Sequence, residues 1–493
     1  MTAPTTTTQK YPDLGNFIAG RFEATDGEKL DVTCPHDGAT IARVPLSRPA
    51  DLDRAVAAAR RAFAGWSSAT IKERAQVFFE YRRLLRRDFD ALAQLTHEEN
   101  GKTLAEAKAE LVRAIEVVEF ACALPQLAAG AVMEVSPGVE CRTERLPLGV
   151  VASICPFNFP MMVPHWAIPI AITLGNAFIF KPSEQVPLSA NRTAELLAEA
   201  GLPVGVFNVV HGDRRIVEAI CDHADIRAVT FVGSTPVAKA VYVRATGRLK
   251  RALTMGGAKN HLIVLPDAGI EPTAKNVVAS MAGCAGQRCM AAASMLAVGG
   301  VDRVIEAVCA EARRLTLGKD LGPVISRAAK ERVERYITEA EHAGATVLVD
   351  GRGAVVPGRE GGFYVGATVI DHVTPDMRIA QEEVFGPVLA IIRAADADEA
   401  VAIENASPYG NAAAVYTRDG GLAKDIARRV SVGMVGVNVG VPVPMEPFGF
   451  GGWNDSRFGV GDITGKSAIE FWTQTKKTTT RWHAQPPTGR LTD

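Results

Sequence analysis

From about residue 146 the chain alternates short β-branched runs with helical segments, and this alternation limits the possible folds more than any other feature of its 493 residues. "LGVVASICPF", "NAFIFKPSE", "VFNVVHGD" and "IRAVTFVGST" read as strands, while "LSANRTAELLAEAGLP" between them reads as a helix. Strand–helix–strand repetition of this kind predicts βαβ units and a parallel sheet, hence an α/β fold. A second alternating series follows, through "HLIVLPDA", "SMLAVGG", the helix "RAAKERVERYITEAEHAGA", "TVLVDG" and "GFYVGATVI", and predicts a second α/β domain over roughly 252–440.

The chain begins differently. Residues 51–66 and 71–124 repeat apolar residues every three or four positions and read as helices. Two further stretches, 133–149 and 469–482, are extended and rich in β-formers but too small to build a sheet core. Pairing with each other or across a subunit boundary would satisfy their edges.

Charge excludes several classes of partner. With 54 basic against 55 acidic residues the net charge is −1, so nothing draws the protein to nucleic acid or an anionic membrane surface. No run of eighteen apolar residues exists, and the N-terminal "MTAPTTTTQKYPDLGN" lacks the apolar centre of a secretion signal. Eight cysteines without C-x-x-C spacing suit a reducing compartment and no zinc site. The expectation is a cytoplasmic protein whose partners are small molecules and further copies of itself, with no metal.

No G-x-G-x-x-G follows a strand, so the commonest dinucleotide fingerprint is missing. In "AVTFVGSTPVAKAVYVRA", however, a β-branched run ends at Gly233, after which Ser234, Thr235 and Pro236 open a helix. Free backbone N–H groups there could hold a phosphate, or the segment could be a plain strand–turn–helix. Lys181, Ser183 and Glu184 close the strand of "FIFKPSE". A carboxylate beside a lysine at a strand's C-terminal end suits a ribose diol and disfavours a 2′-phosphate, which would select NAD over NADP; a surface ion pair is the alternative.

Cys289, in "GCAGQRCMAAAS", is either a small core residue or a nucleophile. Glycines at 283 and 286 imply a turn or close backbone approach, and Arg288 supplies positive charge that favours thiolate. Cys284, without such a neighbour, is the internal control. In "CPFNFPMMVPHW", Pro156 and Pro160 stiffen a loop around Asn158, whose amide could join the backbone N–H of a nucleophile in stabilising an oxyanion, or could be an ordinary turn asparagine.

Taken together, "NFIAGRF", "EENGKTL", "FNFP", "KPSE", "FVGST", "GQRC", "EEVFGPVL" and "PFGFGGW" resemble, in order and spacing, the NAD(P)-dependent aldehyde dehydrogenase superfamily over nearly the whole chain. The resemblance implies that Cys289 is the nucleophile and Asn158 the oxyanion donor. It implies cofactor contacts from Phe157, Lys181, Ser183, Glu184, Gly233 and Ser234, with Glu383 and Phe385 at the nicotinamide ribose. It also implies a Rossmann-like NAD-binding domain (1–125 and 148–251), a catalytic domain (252–440) and a small β oligomerisation arm (126–147 and 468–493) that assembles a dimer or tetramer.

One departure decides how the acyl group leaves. Hydrolytic members carry a glutamate at the head of E-L-G-G-K, where it activates water; aligning "TMGGAKNH" on Lys259 puts Met255 there. A thioether accepts no proton near neutral pH, so water attack should be slower by the ~10²–10⁴-fold typical of losing a general base. A thiol would then finish the reaction. "GQRCMA", "GAKNH" and "GKSAIEFWTQTKKTTTRW" are similar to the CoA-acylating methylmalonate-semialdehyde dehydrogenases, which implies coenzyme A as co-substrate and methylmalonate or malonate semialdehyde as the aldehyde. In that subfamily two arginines are tied to a carboxylated substrate. Arg288 matches one, and Arg113 is expected to be the other, on a helix that looks buried nearly all round, unless Glu116 or Glu119 neutralises it internally. Trp472 replaces a usual Tyr, and Ala238 a frequent Gly. Two rivals remain: a hydrolytic enzyme recruiting Glu382 or Glu383 as base, and an inactive nucleotide-binding scaffold.

Overall fold

The computed structural model describes residues 9–25 and 27–482. Its centre is an eight-stranded sheet. Five of those strands are parallel neighbours: Phe207–Val209, Ala177–Lys181, Val150–Ile154, Ile226–Val232 and Arg251–Met255. The first four are the β-branched runs read from the sequence, and every residue of Val150–Ile154 and Ala177–Lys181 is buried, as a parallel strand covered on both faces requires. Arg251–Met255, expected at 252 to open the second domain, instead completes the parallel set by pairing in register with Ile226–Val232. Its backbone groups therefore belong to the first sheet, and the expected boundary cuts through this strand.

The second sheet has seven strands, among them Thr368–Asp371, Val388–Ala394, Ala292–Val298, Asn260–Val264, Ala412–Tyr416 and Met434–Val437 in spatial order, all parallel, with Thr346–Val349 antiparallel at one edge. Its apolar cluster, which includes Ile263, Leu296, Val369 and Ile391, forms the core under the helix Ile270–Ala282.

The early helical region forms Pro49–Ser68, Ile71–Arg87, Phe89–Asn100 and Leu104–Cys122. The predicted run 71–124 is broken where Gly101 turns left-handed at φ 90°, after which Thr103 and Glu106 cap the last of these helices with a reciprocal box. The two extended segments do pair with each other: Thr473–Arg481 lies antiparallel to Val139–Pro147 along its full length, and Val132–Ser136 adds a third strand. Residues 483–493 of the expected arm lie outside the described residues. Among the described residues no helix is long and apolar enough to cross a membrane, and no group of three His, Cys, Asp or Glu residues is placed to hold a metal ion.

Candidate active site

The helix Ile270–Ala282 delivers the chain to a tight turn in which Cys284, Ala285 and Gly286 have φ of 50°, 53° and 69°. Two consecutive non-glycine residues in the left-handed region cost of order 1–3 kcal/mol each and persist only where the surroundings enforce them. Here the amide of Cys284 donates to Glu106 Oε1 at 2.6 Å, and Gly286 packs so tightly that a Cβ would stand 2.0 Å from the carbonyl oxygen of Gly386. The turn ends in Cys289. Its carbonyl oxygen accepts from the side-chain amides of both Asn260 (2.9 Å) and Asn411 (2.7 Å), which fixes the backbone that carries the thiol.

Cys284 is buried and Cys289 half-buried, so the second sulfur is the more accessible. Arg288 and the backbone N–H groups of Cys289 and Met290 do favour the Cys289 thiolate. They are outweighed by burial, first, and by the charge of Glu383, second, so that the thiol is pushed up to about 12. The positive neighbour read from the sequence is present, yet its effect is overruled by two features visible only in three dimensions.

Asn158 lies in the loop after the strand Val150–Ile154, buried, and donates its amide to the carbonyl of Gln287 at 2.9 Å. The fold therefore brings the candidate oxyanion donor against the turn that carries Cys289. Asn100 donates to the Phe157 carbonyl at 2.8 Å, and the Phe157 ring meets Phe385 edge-on with centroids 5.9 Å apart. Phe385 follows Glu383, whose Oε1 accepts from the Ala258 amide at 3.1 Å. Burial raises the Glu383 carboxyl to about 7, against the opposing pull of that amide and of Lys259 and Arg332. Glu382 points elsewhere, to Tyr336 and Arg378. Of the two glutamates considered as substitute bases, only Glu383 belongs to the site. Met255 ends the strand Arg251–Met255, 2% exposed, in the same apolar cluster against which Cys289 packs.

The residues expected at a dinucleotide stand at the C-terminal ends of parallel strands, where ligands of open α/β sheets bind. Lys181, almost fully buried, donates to Glu184 Oε2 at 2.9 Å, and Ser183 beside them accepts from the Gln185 amide. A Cβ on Gly233 would meet the Phe231 ring at 2.5 Å, so the backbone there is bare. Ser234 precedes the helix Thr235–Gly247 without capping it through its side chain, which leaves first-turn N–H groups free of that partner. An ammonium–carboxylate pair for a diol and a bare helix start for a phosphate together fit NAD. Ala238, fully buried, accepts from Thr254 Oγ1 through its carbonyl at 3.0 Å. Trp472 is fully buried with its indole N–H unpaired among the described residues.

The two arginines differ from expectation. Arg113 is not buried: its side chain is 42% exposed, Val112 beside it is also exposed, and Glu116 takes its charge at 2.8 Å. Arg113 and Val117 stand together at an edge of the helix that faces a cavity. That cavity is lined by Met162, Trp166, Phe450 and Glu446 together with Arg113 and Glu116. Arg288 folds its guanidinium over Gly283, faces Glu106 at 3.6 Å, and lines a cleft with Glu383 and Phe385. Sequence reasoning missed Asn260, Asn411, Glu106 and the buried pair Lys102–Glu110. The one signal available was the capping box of Thr103 and Glu106, with Glu110 one turn further along the same helix face.

Comparison with known proteins places the chain in a family. The aldehyde dehydrogenase family profile matches residues 22–478. Malonate-semialdehyde dehydrogenase 1 of Geobacillus kaustophilus (strain HTA426) is 44% identical over 490 residues, covering 98% of this chain and 99% of that one. Malonate-semialdehyde dehydrogenase 2 of Bacillus mycoides (strain KBAB4) is 45% identical over 95% of this chain and 99% of its own. Among solved structures, a protein named as a methylmalonate-semialdehyde dehydrogenase from Sinorhizobium meliloti 1021, complexed with NAD, superposes with a TM-score of 0.95 at 42% identity, covering 97% of this chain and 99% of that one. Methylmalonate-semialdehyde dehydrogenase from Oceanimonas doudoroffii gives 0.95 at 41% identity over 96% and 99%. The family match makes the protein an oxidoreductase. The chain belongs to the aldehyde dehydrogenase family.

Proposed function

We propose that the protein oxidises a carboxylated semialdehyde, malonate semialdehyde or its methyl derivative, with NAD, and passes the acyl group to coenzyme A through a thioester on Cys289. The observation that carries this reading is the methionine at 255, packed against the apolar cluster of the nucleophile where a hydrolytic enzyme needs a base. The names of the relatives support the choice of aldehyde.

In this reading the Cys289 sulfur attacks the aldehyde carbon, and the new oxyanion is held by the Asn158 amide and the Cys289 backbone N–H. NAD, when bound along Lys181, Ser183, Glu184, Gly233 and Ser234 with Phe157, Glu383 and Phe385 at its nicotinamide end, supplies the hydride acceptor. Collapse of the adduct restores the carbonyl as a thioester on Cys289. The apolar side chain of Met255 gives water no proton acceptor at this stage, so the thiol of coenzyme A displaces Cys289 and leaves as acyl-CoA. Arg288 and Arg113 hold the distal carboxylate. The protein works as a homo-oligomer joined through the sheet of Val132–Ser136, Val139–Pro147 and Thr473–Arg481. Its free cysteines suit a cytoplasmic setting.

The second reading, a hydrolytic enzyme, is favoured by one observation: Glu383, raised to about 7, stands near the thiol. NADH release from methylmalonate, malonate and succinate semialdehydes, each with and without CoA, decides between them. Turnover that needs CoA and yields acyl-CoA in step with NADH supports the first, whereas steady NADH production without any thiol acceptor removes it.

A further inference from the structure

Lys102 and Glu110 form an ion pair with both side chains at 0% exposure, deep under the loop that carries Asn158. Each spends its remaining hydrogen-bonding capacity on that loop. Lys102 Nζ donates to the Asn158 carbonyl at 2.9 Å and lies 4.2 Å over the Phe159 ring. Glu110 Oε1 accepts the amides of Met161 (2.7 Å) and Met162 (3.0 Å). The pair thus grips the loop at Asn158, Phe159, Met161 and Met162, and the Asn158 side chain reaches from it to the nucleophile turn.

A buried ion pair is a weak means of stabilising a protein, since desolvation offsets most of its attraction and apolar replacements are often tolerated. What such a pair does provide is direction: an ammonium with three donors and a carboxylate with two acceptors define one arrangement of the groups around them. Here those groups are the backbone of Asn158 and its neighbours. A catalytic amide misplaced by about 1 Å can cost on the order of 100-fold in rate.

We propose that Lys102 and Glu110 are positioning residues for the oxidation, a buried clamp that sets the Asn158 amide where the oxyanion forms. The proposal rests on the reading of Asn158 as the oxyanion donor. If the clamp works through Asn158 alone, its loss matters only while that amide is present. A merely structural role would weaken the enzyme equally with or without it.

The experiment is a double-mutant cycle on the full-length enzyme, read as the single-turnover rate of NADH formation from malonate semialdehyde. Lys102→Met should lower that rate by about 10- to 100-fold with KM nearly unchanged, and Asn158→Ala by about 100- to 1000-fold. The double variant should be no slower than Asn158→Ala alone. Alkylation of Cys289 by iodoacetamide, a displacement that builds no oxyanion, should keep its wild-type rate in Lys102→Met. Glu110→Gln, nearly isosteric, serves the same cycle where Lys102→Met fails to fold. Multiplicative losses in the double variant, or a parallel fall in alkylation, overturn the clamp. An undiminished rate in Asn158→Ala instead overturns the oxyanion reading beneath it.

Discussion

Gly286 and Gly386 meet backbone to backbone, so closely that a side chain on the first would fall 2.0 Å from the carbonyl oxygen of the second. This contact joins the turn that carries Cys289 to the loop that carries Glu383 and Phe385. Gly286→Ala must push the two apart and also hold an alanine at φ 69°. We expect a loss of ~2–4 kcal/mol in unfolding free energy from strain and overpacking combined, with single-turnover activity falling further than stability does. Urea denaturation and NADH bursts measure both; a variant with wild-type values would show that the contact is dispensable.

Glu383 titrates near neutrality and, once charged, opposes ionisation of Cys289. Below about pH 7 the carboxyl is mostly neutral and Glu383→Gln should alkylate as the wild type does. Above it the wild-type thiol is held back while the variant's is not, so the variant should react faster, on the order of tenfold for each unit by which its thiol pKa falls. Iodoacetamide rates from pH 6 to 9.5 test this. A variant slower than wild type at pH 9 would contradict the assigned sign.

Met255→Glu would place a carboxylate where the resemblance puts the glutamate of hydrolytic members. We expect CoA-independent acid release to rise by up to ~10²-fold, since a general base typically contributes 10²–10⁴ and this one enters an unadapted site. Burying the new carboxyl in an apolar cluster should also lower Tm. If acid release stays at the wild-type level while the protein remains folded, position 255 does not control water.

Arg288→Met should raise KM for a carboxylated aldehyde by an amount worth ~2 kcal/mol, about 30-fold, if the contact is charge-assisted. Arg113→Leu should cost less, ~0.5–1 kcal/mol, because Arg113 is 42% exposed and solvent screens it. Propanal, which lacks a carboxylate, should be oxidised equally well by wild type and variants. Equal losses on both substrates would remove the arginines from recognition.

Much of this was legible in the chain. The strands that end at Lys181 and Val232 are short, largely apolar runs with turn residues after them, and Met255 is found by counting back from Lys259. Other features depend on contacts no pattern records. Arg113 reads as buried because Val117 and Phe120 continue its stripe and Leu111, Ile115 and Val118 fill the adjoining face, yet the helix edge opens onto a cavity and Glu116 lies within reach. The left-handed Cys284 and Ala285 have side chains that ordinarily avoid that region, so only the tertiary grip of Glu106 reveals them. The range 252–440 takes in most of the strand Arg251–Met255 because the sequence carries no mark of which sheet a strand joins. Lys102 and Asn158 are 56 positions apart, beyond any local periodicity.

The methionine at 255 has an energetic meaning. Oxidising an aldehyde to a free acid releases its driving force irreversibly, whereas a sheltered acyl–sulfur bond preserves much of it in chemical form. Exchanging one sulfur for another conserves that activated linkage, so the departing product remains competent for carbon–carbon bond formation or group transfer. In the proposed reading, the apolar side chain at 255 keeps the acyl group activated until a second sulfur takes it over.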